Sequence, residues 1–166
     1  MSNIVNLVTM ANGANVYVDT KGSHAATHIK DNPELLNLVK VFLKNQSFHE
    51  ENVAIEHDTG KIIGSMDLID TDEKDEIVYA IRQNREIYTK FAKNIEPVPT
   101  SYITVVLHKD NDNNYELWSA WIGRNVPPIP GDPMETPESK PFWSKHALVF
   151  GRQPILADTL TNKCPW

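Results

Sequence analysis

Residues 101–123, SYITVVLHKDNDNNYELWSAWIG, decide the fold class. Ser101 to His108 is rich in β-branched side chains and Tyr115 to Gly123 in aromatic ones, and both kinds suit a pleated, half-buried strand. Asp110 to Asn114 between them is a run of turn formers. The stretch reads as two adjacent strands, and the other elements are placed around it.

Toward the N-terminus, Ile4 to Thr9 and Asn15 to Asp19 alternate apolar and polar residues around Ala11-Asn12-Gly13-Ala14, which predicts two short strands and a turn. Asn32-Pro33-Glu34 opens a helix, because Asn caps free amides and Pro is tolerated in the first turn. Leu35, Leu38, Val39 and Phe42 then recur at helical spacing, so the helix spans 33–44. Asn52 to His57 and Lys61 to Ile69 flank Asp58-Thr59-Gly60, predicting a second hairpin. Thr71 with Asp72 and Glu73 starts a longer helix, with Ile77, Ile81, Tyr88 and Phe91 as its buried stripe and Pro97 and Pro99 ending it near residue 95. Asn125 to Pro141 carries six prolines, too many for a helix or central strand, and reads as an ordered arm. The result is an α+β fold: an antiparallel sheet, two main helices and a proline-rich C-terminal arm, forming a single domain over 1–166. The tail Asp158 to Trp166 is expected to dock, since an indole left in water forfeits a large apolar area.

One cysteine, Cys164, excludes an internal disulfide and any multi-cysteine metal site. No secretory signal or membrane-length apolar run is read, so the expectation is a cytoplasmic protein without membrane contact. The net charge is −6. Residues 51–76 hold nine acids against Lys61 and Lys74, a balance of −7, which leaves the rest of the chain at +1. A local anion-binding cleft fits that distribution, whereas a broad footprint on duplex DNA does not. No phosphate-binding glycine loop occurs, so no nucleotide cofactor is expected.

Candidate chemistry falls in two places. His24 and His28 in Gly22-Ser23-His24-Ala25-Ala26-Thr27-His28-Ile29-Lys30 share one face if the segment is helical, and imidazoles titrate near neutrality as acid and base catalysts must. A zinc-protease motif fails because Ala25 stands where its glutamate belongs, although a site using both histidines and a distant ligand stays open. Farther on, Ser119, Arg124 and His146 offer a hydroxyl donor, a charge clamp and a proton shuttle, as metal-free phosphoryl chemistry requires. Trp118, Trp121, Trp143, Trp166, Tyr102, Tyr115 and Phe142 concentrate after residue 100, either as core or as platforms for single-stranded bases.

The segment 22–30, the strand Tyr102 to His108 and Glu116-Leu117-Trp118-Ser119-Ala120-Trp121-Ile122-Gly123, with the prolines 127–130 behind, resemble elements of the barnase, EndoU and RelE-like ribonuclease superfamily, including phage- and toxin-associated members. The likeness covers about half of the chain, and residues 46–76 have no counterpart. It implies cleavage of single-stranded RNA through the ribose 2′-hydroxyl, without metal. His24 or His28 would be the base, His146 or its partner histidine the acid, Lys30 or Arg124 the charge stabiliser, and Ser119 would position the phosphate. The alternative is a non-catalytic module whose proline-rich arm and aromatics hold a protein partner; other hydrolases form a third class.

Overall fold

The computed structural model describes residues 3–21 and 32–166. Among them the elements run β1 (Ile4–Thr9), β2 (Asn15–Asp19), α1 (Pro33–Lys44), β3 (Asn52–Asp58), β4 (Gly64–Met66), β5 (Leu68–Asp70), β6 (Glu76–Ile81), β7 (Tyr88–Lys93), β8 (Val98–Thr100), β9 (Tyr102–Lys109), β10 (Tyr115–Ile122), α2 (Ser139–Lys145) and β11 (His146–Val149). A 3-10 turn, Ala157–Thr159, follows. Two helices, with more residues in strands than in helices, fit the α+β class. The chain forms two compact units, Met1–Gly64 with Thr100–Asn125, and Ser65–Pro99 with Val126–Trp166.

The first unit is a five-stranded sheet in the order β1-β2-β10-β9-β3. The hairpin β9/β10 supplies its centre, as the sequence anticipates, with Asn113 at φ 62 in the connecting turn. Helix α1 begins where predicted: the Asn32 side chain accepts from the Leu35 amide at 3.1 Å. Its buried stripe, Leu35, Val39, Phe42 and Leu43, packs against Val16, Val18, Val105, Leu107 and Leu117. Each such fully buried aliphatic contributes roughly 1.5–3 kcal/mol.

Three expectations are corrected. The sheets are mixed rather than purely antiparallel, since β2 runs parallel to β10 and β7 parallel to β11. Gly60 does turn the chain, at φ 82, but β3 pairs with β9 and not with the residues after the turn. The helix predicted over 71–95 is a hairpin of β6 and β7. A spacing of four, as between Ile77 and Ile81, marks one helix face and one strand face alike. The β-branched and aromatic run Ile77-Val78-Tyr79 favours the strand, and Asn84 adopts the left-handed φ of 66 that a turn needs.

In the second unit the sheet order is β5-β11-β7-β6. Ala92, Ala147 and Val149 are buried on one face of this sheet, and Val78, Ala80 and Phe91 on the other. Such burial on both sides suits near-continuous apolar strands better than an amphipathic helix. Lys90 is also buried, and its ammonium donates to the carbonyls of Trp143 at 2.9 Å and Ser144 at 3.1 Å. It thus caps the C-terminal end of α2, where a cation complements the helix dipole. Burial lowers the pKa of Lys90 below the ordinary lysine value. Residues 126–138 form no helix or strand, and the Trp143 indole donates to the Pro127 carbonyl at 3.1 Å. No helix among the described residues is long and apolar enough to cross a membrane.

The tail docks as the sequence suggests. Tyr79 and Thr161 exchange backbone hydrogen bonds of 2.7 and 2.9 Å, and Trp166 meets the Tyr79 ring edge-on at 5.3 Å. Deleting residues 162–166 should destabilise the protein by more than about 1 kcal/mol, read as a lower urea midpoint; an unchanged midpoint and slope would count against docking. Asn32→Ala should cost about 1 kcal/mol through the lost cap, measured in the same way.

Candidate functional site

Ser119 and Arg124 belong to the first unit, whereas His146 opens β11 in the second. His24, His28 and Lys30 lie outside the described residues. His146 is tethered by both ring nitrogens: Nε2 stands 2.9 Å from Asp70 Oδ1 and Nδ1 2.8 Å from the Phe142 carbonyl. Its ring also stacks on Phe142 at 3.9 Å. Those contacts join β5, β11 and α2.

Ser119 and Arg124 stand on the side of the first unit's sheet that α1 does not cover, and an irregularity in β10 arranges that side. The register to β9 slips between Leu117 and Ser119, so one extra residue is accommodated there. Strict alternation would put Leu117, Ser119 and Trp121 on one face. The bulge instead sends Leu117, Ala120 and Ile122 to the core, and Trp118, Ser119 and Trp121 to the outer face.

Three cross-strand rows then share that outer face. The first is Glu116, His108 and Asn52; the second Ser119, Val106 and Ala54; the third Trp121, Thr104 and Glu56. In the first row Asn52 Oδ1 lies 2.8 Å from His108 Nδ1, and the indole of Trp118 stacks on the imidazole at 4.3 Å and 11°. The Trp118 indole donates to Glu116 at 3.1 Å, while 47% of the residue stays exposed. At the other end, Arg124 donates to both carboxylate oxygens of Glu56 at 3.4 and 3.3 Å, and its guanidinium lies 5.0 Å from the centre of the Tyr102 ring. Glu56 also accepts from the Asn125 amide at 2.7 Å, and the Trp121 indole donates to the Arg124 carbonyl. These contacts fix carboxylate, guanidinium and indole together.

The outer face thus combines π surfaces, a carboxylate, a guanidinium, an imidazole and a hydroxyl. Sequence reasoning found Ser119 and Arg124, but Glu56 stood only among the nine acids of residues 51–76 and His108 only at the end of a strand-like run. A signal for the bulge was present: in Leu117-Trp118-Ser119-Ala120-Trp121-Ile122 the core-type residues Leu117, Ala120 and Ile122 break strict alternation by one position. Among the described residues no three His, Cys, Asp or Glu side chains are grouped to hold a metal ion. Comparison with family models, curated proteins and solved structures finds no match.

At the margin of the same face, the Tyr17 hydroxyl donates to Asp110 Oδ2 at 2.9 Å. Burial, then that hydrogen bond and the charge of Asp110, push the Tyr17 phenol up to about 12 from its ordinary 10.0. For Asp110 burial acts upward, but hydrogen bonds from Tyr17 and the amides of Asp112 and Asn114 hold the carboxyl below its usual range. A phenol whose folded pKa is raised lends stability that is complete below pH 10.0 and is lost as pH rises toward 12. Tyr79, raised to about 12 chiefly by burial, adds a second contribution of the same sign. Tyr17→Phe should therefore flatten, without abolishing, the decline of the urea midpoint across that alkaline interval; identical profiles for the two proteins would refute the coupling.

Proposed function

We propose that the outer sheet face of the first unit is the working surface of a ribonuclease-like phosphodiesterase that takes single-stranded RNA and needs no metal. The observation that carries this reading is the bulge in β10, which gathers Trp118, Ser119 and Trp121 beside His108 and the Glu56–Arg124 pair. Trp118 and Trp121 offer stacking platforms for unpaired bases, whose faces bind indoles with little sequence preference. The phosphodiester sits over Val106 and Ala54, flanked by the Ser119 hydroxyl and Arg124. A guanidinium has five donors, and the two given to Glu56 leave others for a phosphate oxygen.

Glu56, held by Arg124 and the Asn125 amide, takes the proton of the ribose 2′-hydroxyl. His108, oriented by Asn52, protonates the departing 5′-oxygen, and Arg124 stabilises the charge that develops on phosphorus-bound oxygen. Along β9, Glu56's partner Thr104 is four residues from His108, or roughly 13 Å of strand. Acid and base therefore reach inward along the face, from either side of the Ser119 row, to flank one phosphorus. His146 takes no part in this scheme.

A second reading, a non-catalytic surface for a protein partner, is favoured by charge. Glu116, Glu56 and Asp110 outnumber Arg124 along this face, in a chain of net charge −6. The two readings separate in one assay. Purified protein incubated with a panel of single-stranded RNAs in EDTA, from pH 5 to 8, should yield fragments ending in 2′,3′-cyclic phosphate. Glu56→Gln and His108→Ala should each slow cleavage by about 10²–10⁴-fold, with folding intact by circular dichroism. Intact RNA across the whole panel would leave the protein-partner reading in place of the ribonuclease.

A further inference from the structure

Within the second unit, three segments distant in sequence converge on one recess of about 200 Å³. The connection between β6 and β7 contributes Glu86 and Ile87, and β7 its first residue, Tyr88; the proline-rich stretch contributes Pro130 and Gly131; the tail contributes Pro165 and Trp166. Each wall is fixed. The tail is pinned by the Tyr79–Thr161 bridge and by Trp166 against Tyr79. Gly131 takes the left-handed φ of 93, and its amide donates to the Glu135 carboxylate at 2.7 Å.

The lining residues are two aromatics, two prolines, an isoleucine and a glycine, with a single charged side chain, Glu86. Glu86 forms no salt bridge with any described residue. Among the described residues no lysine, arginine or histidine lines the recess. An anion would meet Glu86 and no counter-charge. A hard metal ion would find one carboxylate where it needs six or more oxygen ligands or retained waters. A primary ammonium would exchange a full hydration shell for one carboxylate among prolines, an isoleucine and aromatic residues. A cation whose charge is spread over methyl groups meets none of these objections, since it is weakly hydrated and is attracted both to indole and phenol faces and to a carboxylate. The volume suits a group of side-chain size and is below that of sites for drug-sized ligands.

We propose that this recess is a binding site for a quaternary or fully alkylated ammonium group. The site is independent of the outer sheet face of the first unit. The test uses the full chain, ¹⁵N-labelled, with the Trp166 indole signal assigned by its loss in Trp166→Phe. Choline should shift that signal saturably with millimolar affinity, while its neutral carbon analogue 3,3-dimethylbutan-1-ol should bind about tenfold more weakly. Glu86→Gln, at an exposed side chain, should weaken choline several-fold without altering the rest of the spectrum. A trimethyl-lysine peptide that outcompetes choline would identify a protein side chain as the source of the group, and one that binds more weakly would identify a free ligand. Equal affinity for choline and its neutral analogue, or no saturable shift up to roughly 100 mM, overturns the proposal.

Discussion

The arrangement of the first unit depends on one inserted residue in a central strand. β10 lies between β2 and β9, so it must give side chains to the core on one side while pairing on both edges. Leu117 and Ala120 are both fully buried, although a regular strand would place them on opposite faces. The bulge between Leu117 and Ser119 reconciles the two demands. Its cost is a local break in the ladder, and its result is that two indoles and a serine stand on the same outer surface. Core packing and the composition of the candidate site are therefore one constraint seen from two sides.

The second unit solves a different problem with a similar economy. Its hairpin β6/β7 is buried on both faces, so a lysine at position 90 cannot reach bulk water from its strand. Helix α2 ends beside it with unsatisfied carbonyls, and the ammonium takes two of them. Each group removes the other's penalty: a buried cation gains acceptors, and a short helix gains its cap.

What could be read from sequence was local, and what could not was pairing between distant segments. Asn32-Pro33 announced α1 because capping involves residues three apart. The β9/β10 and β1/β2 hairpins were legible for the same reason, each having turn formers between two strand-like runs. β3 was recognised as a strand, but its partner lies beyond β8, which no local pattern records. The segment 71–95 went wrong because its apolar spacing satisfies both periods, so the choice rested on acidic residues that favour a helix start and equally well a turn: Asp72 accepts from the Lys74 amide and Asp75 from that of Asp72. Of the candidate site, Ser119 and Arg124 were identified by residue type. Glu56 and His108 required the register of three strands.

The order in which these strands leave the ribosome carries its own consequence. β2 pairs with β1 on one edge but finds its other neighbour only in β10: the Asn15 amide donates to the Asn114 side chain, 99 residues away. During synthesis β1, β2, α1 and β3 therefore emerge as a hairpin, a helix and a lone strand without the centre that joins them, and the intervening residues 65–99 must be made first. Contacts of such long sequence separation slow folding, because the loop-closure entropy is lost before the packing that offsets it is gained. Until β9 and β10 arrive, β2 and β3 expose open edges of the kind that invite intermolecular pairing. The nascent chain thus passes through a window, closing only once residue 122 has been made, in which the open edges of β2 and β3 are its aggregation-prone surface.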